Sequence, residues 1–405
     1  MNALRISLYG EPVGTLIRLA DDKNLFSFEK SYINASKRPT LSLSFKDATG
    51  GLITTGRPTQ TKLPPYFSNL LPENRMREYL AGRAGVNPER EFFLLGTLGR
   101  DLPGALTAVP ISDGDIWEKE ASPPSKDKLG GPLRFSLAGV QLKFSAAANA
   151  RGGLTIPVNG EGGSWIVKLP SGTWKGIPEN EFSMLELARH VGIDVPETKL
   201  IHVDKIKGLP KNIEVFGTHA LAIRRFDRLP DGNLVHAEDF AQVFGVYPDD
   251  KYDSASYNNI AKVIRAEAGE EAAEEFVKRL IFTILIGNAD MHLKNWSLIY
   301  PNRDRAALAP AYDFVSTIHY LPTDSFALSV AKTKRFSQVD EDRLRRFATL
   351  TRLPEMLVLD AARETVESFA REWKNAKDLP IESGVKKSLE NHLKGLPLWT
   401  RKARK

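Results

Sequence analysis

The chain has no cysteine in its 405 residues. That excludes a disulfide framework, a thiol nucleophile and a thiolate zinc site. Long apolar runs are also missing. The longest, "LIFTILIG" at 280–287, is far short of the roughly 18 residues a membrane helix needs. Arg5 and Glu11 interrupt the start of the chain where a signal peptide requires unbroken apolar residues. The expectation is a soluble, cytoplasmic protein that does not enter a membrane. Low-complexity tracts and internal repeats are absent. Charge of one sign is scarce too: 56 Lys and Arg against 50 Asp and Glu leave a net +6. So mild an excess permits contact with nucleotides or DNA without demanding it. The basic tail "LWTRKARK" reads as a solvated terminus.

A chain this long exceeds one ordinary core, so two or three domains are expected. Residues 1–110 read as an α+β unit. Leu4, Ile6 and Leu8 alternate into "YGEPVG", a hairpin signal. Two further short strands are expected within 25–55. "LPPYFSNLLPENRMREYLAGRAG" reads as helical, and "FFLLGTLGRDLPGALTAVP" as loop and strand. Residues 111–132 are charged and rich in Pro and Gly, as a linker or long functional loop would be. Residues 133–227 alternate strand signals with one amphipathic helix over 179–193. Residues 228–405 are mostly helical, with patterned segments near 238–246, 256–268, 271–286, 340–348, 354–376 and 385–394. A β-rich part followed by a helical part predicts an α+β fold of two lobes with a cleft between them.

The densest chemistry lies in "GNADMHLKNWSLIY", 287–300. A helix breaks near Gly287, a polar loop follows, and apolar "WSLIY" resumes as a strand. Asp290 and Asn295 stand five apart, and Asp313 follows in "PAYDFVST". An acid, an amide five later and a second acid beyond form a recurring set in phosphoryl transfer. The first orients or deprotonates the attacking hydroxyl; the others hold Mg²⁺ bridging ATP phosphates. Within this loop His292 reads as a loop-orienting hydrogen-bonding residue or a proton shuttle. Lys294 reads as a phosphate contact or a solvated lysine, and Trp296 as core. "SWIVKLP" places Lys168 at the end of an apolar strand, where a lysine costs free energy unless paired. Glu181 shares a helix face with Leu185 and Ala188, which makes it a partner for Lys168, with Glu179 and Glu186 as competitors. Gly130, Gly131, Gly139 and Ser136 fit either a phosphate-covering loop or an ordinary hairpin.

In this order the motifs resemble the HipA family of bacterial serine/threonine kinase toxins, over nearly the whole chain. "YFSNLLPENRMREYLA" resembles its N-terminal subdomain helix, "FSLAGVQLKFS" its Ser-x-Ala-Gly-x-Gln-x-Lys loop and "WIVKLP" its ATP-lysine strand. "RRFDR" resembles its hinge, and "GNADMHLKNWSLI" with "AYDFVST" its catalytic and metal-binding motifs. The resemblance implies a protein-kinase-like fold of two lobes behind an extra N-terminal subdomain. It implies Asp290 as base, Asn295 and Asp313 as Mg²⁺ ligands, and ATP held by Lys168, by the loop residues Gly139, Gln141 and Lys143, and by backbone at Arg224, Arg225 and Phe226. Ser136 matches the family's autophosphorylated serine, whose added charge, poorly tolerated beside ATP phosphates, switches the kinase off. Expected partners are a HipB-like helix-turn-helix antitoxin, through which DNA is reached, and a protein substrate such as an aminoacyl-tRNA synthetase. One departure stands in the hinge, where Arg224 replaces the family's frequent Glu or Lys.

Two other classes fit part of the pattern. A small-molecule phosphotransferase would share Asp290, Asn295 and Asp313 but needs neither the N-terminal subdomain nor the Ser136 loop. A catalytically inactive corepressor acting with an antitoxin would have no need of the intact set Lys168, Asp290, Asn295 and Asp313.

Overall fold

The computed structural model describes residues 2–111, 143–148, 154–156, 162–209, 215–323 and 325–402. Ser136, Gly139, Gln141 and most of the expected linker lie outside them.

The N-terminal sheet has the order β4-β3-β2-β1-β5, from β1 (Asn2–Leu8), β2 (Glu11–Arg18), β3 (Lys23–Phe28), β4 (Thr59–Gln60) and β5 (Leu106–Pro110). Leu4, Ile6 and Leu8 alternate into the core, as their period of two requires. The hairpin turns at Tyr9 and Gly10, both at positive φ, the geometry whose twist matches paired strands. Two local expectations fail here. "EFFLLGTL" is a helix, Glu91–Leu98, with Phe92, Phe93, Leu94 and Leu95 all buried. An element buried on every side shows no period by which helix and strand can be told apart. Within 25–55 only β3 forms as a strand; the rest holds the short helix Lys30–Asn34, a 3₁₀ turn at Leu43–Phe45 and an isolated bridge, Lys46 to Leu52.

The second sheet runs β10-β7-β6-β8-β11-β9, from β6 (Lys143–Ala148), β7 (Leu154–Thr155), β8 (Trp165–Lys168), β9 (Thr198–His202), β10 (Ile206–Lys207) and β11 (His219–Arg224). One face, with Phe144, Trp165, Val167 and Ala222, packs with Met76 of the N-terminal unit. Leu221 and Ile223 point the other way and join Met184, Leu185 and Ala188 in the large core of the helical lobe. The helix Ile177–Val191 therefore belongs physically to the junction of the lobes. Gly176 and Gly192 bound it, both at positive φ.

In the helical lobe, Tyr257–Leu285 is broken at Gly269, whose φ is 92°. The two sequence segments expected there meet at this residue. Glu341–Thr351, Glu355–Asn375 and Ser383–Lys394 complete the bundle. The expected helix at 238–246 shrinks to Phe240–Val243. It is preceded by β12 (His236–Asp239), which pairs with β13 (Ser297–Tyr300), which in turn pairs with β14 (Ala307–Leu308). The result is the two-lobed α+β arrangement with an added N-terminal subdomain. No helix among the described residues is long and apolar enough to cross a membrane.

The N-terminal unit is joined to the rest through buried polar groups. Asp101 and Asp227 both bind Arg225 and Arg228, at 2.8–3.2 Å. Glu238 accepts from Ser42 Oγ at 2.5 Å, Leu43 N–H at 3.0 Å and the hydroxyl of Tyr300. His236 bonds Leu41 O through Nε2 at 2.8 Å.

Candidate active site

Lys168 ends β8 and is buried. Its ammonium donates to Glu181 Oε1 at 2.5 Å and to Asp313 Oδ1. Glu181, Leu185 and Ala188 are all buried on one face of their helix, as the i, i+4, i+7 spacing requires. The competing acids go elsewhere: Glu186 binds Arg189 and Thr198, and Glu179 faces His219 at 3.4 Å. Burial pushes Glu181 up. For Asp313 burial is outweighed by the Lys168 ammonium, which holds the carboxyl down to about 2. Lys143 stands directly opposite Lys168 in the β6–β8 register. Like charges opposed across a pair of strands repel, and an anion between them relieves the cost.

The loop carrying Asp290 is fixed from several sides. Gly287 sits at φ 62°, and a Cβ there would come within 3.0 Å of Ile318. Asn288 donates to Asp313 O at 2.9 Å and accepts from Asp290 N–H at 3.0 Å. Ala289 N–H donates to Thr317 Oγ1 at 2.8 Å. Asn295 Nδ2 donates to Asp290 O at 2.9 Å. This bond ties the two ends of the Asp-x4-Asn pair and turns the amide oxygen of Asn295 outward from it. Asn180, beside Glu181, exchanges hydrogen bonds with the backbone of Ser316 at 3.0 and 3.1 Å. Glu181, Lys168, Asp313 and Asp290 are thereby set in one framework. Trp296 packs on Phe276 and Tyr257, as a core residue does.

The amide oxygen of Asn295 and the carboxylate of Asp313 are hard oxygen donors that would suit Mg²⁺ with phosphates and waters completing its shell. Asp313 is held at φ 56° by the bond from Asn288 to its carbonyl, so its side chain leaves the chain at an angle an extended residue would not give.

Three expected contacts turn out differently. Lys294 is not solvated but engaged within the protein: it donates to Asn69 O at 2.8 Å and lies 3.3 Å from Asp239 and 3.5 Å from Glu73. His292 makes no loop-orienting bond through Nδ1, which is buried without a partner among the described residues. Burial and the neighbouring Lys251 lower its pKa to about 3, so it is neutral and serves as an apolar ring against Tyr252. At the hinge the Arg224 N–H donates to Glu197 O and the Arg225 N–H to Ser164 O. These two donors are taken, and the Arg225 guanidinium is committed to Asp101 and Asp227. An adenine at this edge is left with the carbonyls and with Phe226, whose ring lies 6.0 Å from that of Tyr312.

Asn288, Asn180 and Tyr252 escape sequence reasoning. Asn288 carries a signal, a polar residue immediately after the helix-breaking Gly287. Tyr252, whose hydroxyl donates to Asp290 Oδ1 at 2.7 Å, carries none, because it lies on a distant loop.

The chain matches two family models: the HipA-like C-terminal domain over residues 135–373 and the HipA N-terminal domain over residues 4–109. Y4dM of Sinorhizobium fredii, provisionally designated a kinase, is 51% identical over 98% of both chains. The serine/threonine-protein kinase toxin HipA of Shewanella oneidensis is 26% identical over 65% of both chains. Among solved structures, a complex of HipA, HipB and operator DNA from Shewanella oneidensis MR-1 superposes with a TM-score of 0.74. It covers 99% of this chain and 97% of that one, at 22% identity.

Proposed function

The chain belongs to the HipA family of kinases, and on that footing we propose that it is a protein serine/threonine kinase serving as the toxin of a toxin–antitoxin pair. The observation that carries this reading is the convergence of Lys168, Glu181 and Asp313 beside the loop of Asp290 and Asn295. Lys168, fixed by Glu181, is charged and aimed where phosphates would lie. Asp290 would take the acceptor hydroxyl's proton as its oxygen attacks the γ-phosphorus and ADP departs. Asp313 and Asn295 would hold Mg²⁺, which when bound neutralises charge on the transferred group. The Lys168–Asp313 contact then represents a resting site, in which the cation later shared with ATP binds the metal ligand directly.

The finer reading follows the family. Ser136 is the autophosphorylated off-switch, a HipB-like antitoxin is the partner through which DNA is reached, and a translation component such as an aminoacyl-tRNA synthetase is the substrate. The test is incubation with labelled ATP and Mg²⁺ followed by peptide mapping. Label on Ser136 in the wild type and none in Asp290→Asn supports the kinase and its switch. Absence of both label and ATP binding would favour the corepressor.

A further inference from the structure

The base of the proposed reaction is already engaged. Tyr252 Oη donates to Asp290 Oδ1 at 2.7 Å, in the place an acceptor hydroxyl would occupy to surrender its proton. Among the described residues it is the only side chain bonded to that carboxylate. The ring stands edge-on to His292, with centroids 5.0 Å apart, and Lys251 lies 5.6 Å from its centre. Yet the residue is 37% exposed, so it has solvent to turn into. Its loop is held by two kinds of tether. Lys251 is fixed by Glu73 of the N-terminal unit at 2.5 Å, a half-buried contact. Beyond Tyr252, the tether among the described residues is exposed Lys334, to Tyr252 O at 3.3 Å and Asp253 at 3.0 Å. The backbone before the tyrosine is anchored and the side chain itself is loosely kept.

We propose that Tyr252 is an internal competitor at the acceptor site: its phenol occupies Asp290 in the resting enzyme and swings out when a serine or threonine hydroxyl enters. A phenol fits this role because it donates one hydrogen bond to the carboxylate while its high pKa keeps it protonated and inert. Only acceptors that bind well enough to displace it react, which makes Tyr252 a determinant of substrate selection. The inference rests on the kinase reading of Asp290.

The experiment compares wild type, Tyr252→Phe and Tyr252→Ala with MgATP and a mixed library of serine peptides, with melting curves to verify folding. Tyr252→Phe keeps the ring against His292, so folding is expected to hold. The expected result is a KM for peptide lowered about five- to tenfold in Tyr252→Phe, the worth of one net hydrogen bond. Tyr252→Ala should fall at least as far. An unchanged KM, with or without a lowered kcat, would overturn the proposal; with a lowered kcat it would make Tyr252 a positioning residue for the base. Phosphate transfer by none of the three, Asp290 being intact in all, would overturn the kinase reading itself.

Discussion

Two sets of charges in this molecule are completed to different degrees: the seam acids Asp101 and Asp227 are largely buried, whereas Asp290 is exposed and Asp313 half-buried. In the seam beneath the N-terminal unit, Asp101 and Asp227 face Arg225 and Arg228 with two ion pairs to each acid, and Glu238 receives three donors. In the cleft, Asp290 has one side-chain donor among the described residues, and His292 Nδ1 has no partner among them. Asp313 shares one lysine with Glu181. Charges that only hold parts together are satisfied internally, because an unpaired buried charge costs several kcal/mol. Asp290, exposed to water, does not carry that cost, which leaves its carboxylate open to a substrate hydroxyl. The same contrast separates Lys294, locked to Asn69 and Glu73, from Asp290 four residues earlier in the same loop.

The comparison predicts unequal responses to mutation. The largest concerns the cleft: Asp290→Asn should leave the melting temperature near that of the wild type and lower phosphoryl transfer by about 10²- to 10⁴-fold, read with labelled ATP. An unfolded variant would mean that this carboxylate is structural after all. Next is the seam: Asp227→Ala leaves Arg225 and Arg228 short of a partner and should cost about 3–5 kcal/mol in urea unfolding. A change under about 1 kcal/mol would erase the distinction between the two regions.

A pH effect of intermediate size follows from Glu238, which burial pushes up to about 7 despite its donors. A carboxyl raised in the folded state contributes stability that is fully present below its unfolded pKa, near 4.5, and is lost as pH rises through 7. The loss is on the order of 3 kcal/mol at 1.36 kcal/mol per unit, and Glu238→Gln should flatten it in denaturation curves recorded between pH 5 and 8. His236 has the opposite sign: burial lowers it to about 4, so its contribution is present above 6.5 and lost as pH falls. The smallest effect belongs to Lys62→Met. Its pair with Asp249 also joins the N-terminal unit to the helical lobe, at 2.6 Å, but both side chains are exposed. Less than about 1 kcal/mol is expected in the same urea titration.

Much of this could be read from residue order. The period of two in β1, the break at Gly287, the spacing of Asp290, Asn295 and Asp313, and the shared face of Glu181, Leu185 and Ala188 are local properties. The first and last follow from repeat lengths of 2.0 and 3.6 residues, the break from backbone that favours glycine, and the spacing from residue order itself. They determined the α+β class, the order of the parts and the principal residues of the cleft. Tertiary structure alone decided which groups would meet across long separations: Tyr252 on Asp290, Asn69 and Glu73 on Lys294, Asn180 on Ser316, and Arg225 on Asp101. It also made a helix of "EFFLLGTL", where every face is buried. The physical reason is common to these cases. Hydrogen bonds and ion pairs depend on distances of about 3 Å, and no sequence period specifies distances between segments that fold together from far apart.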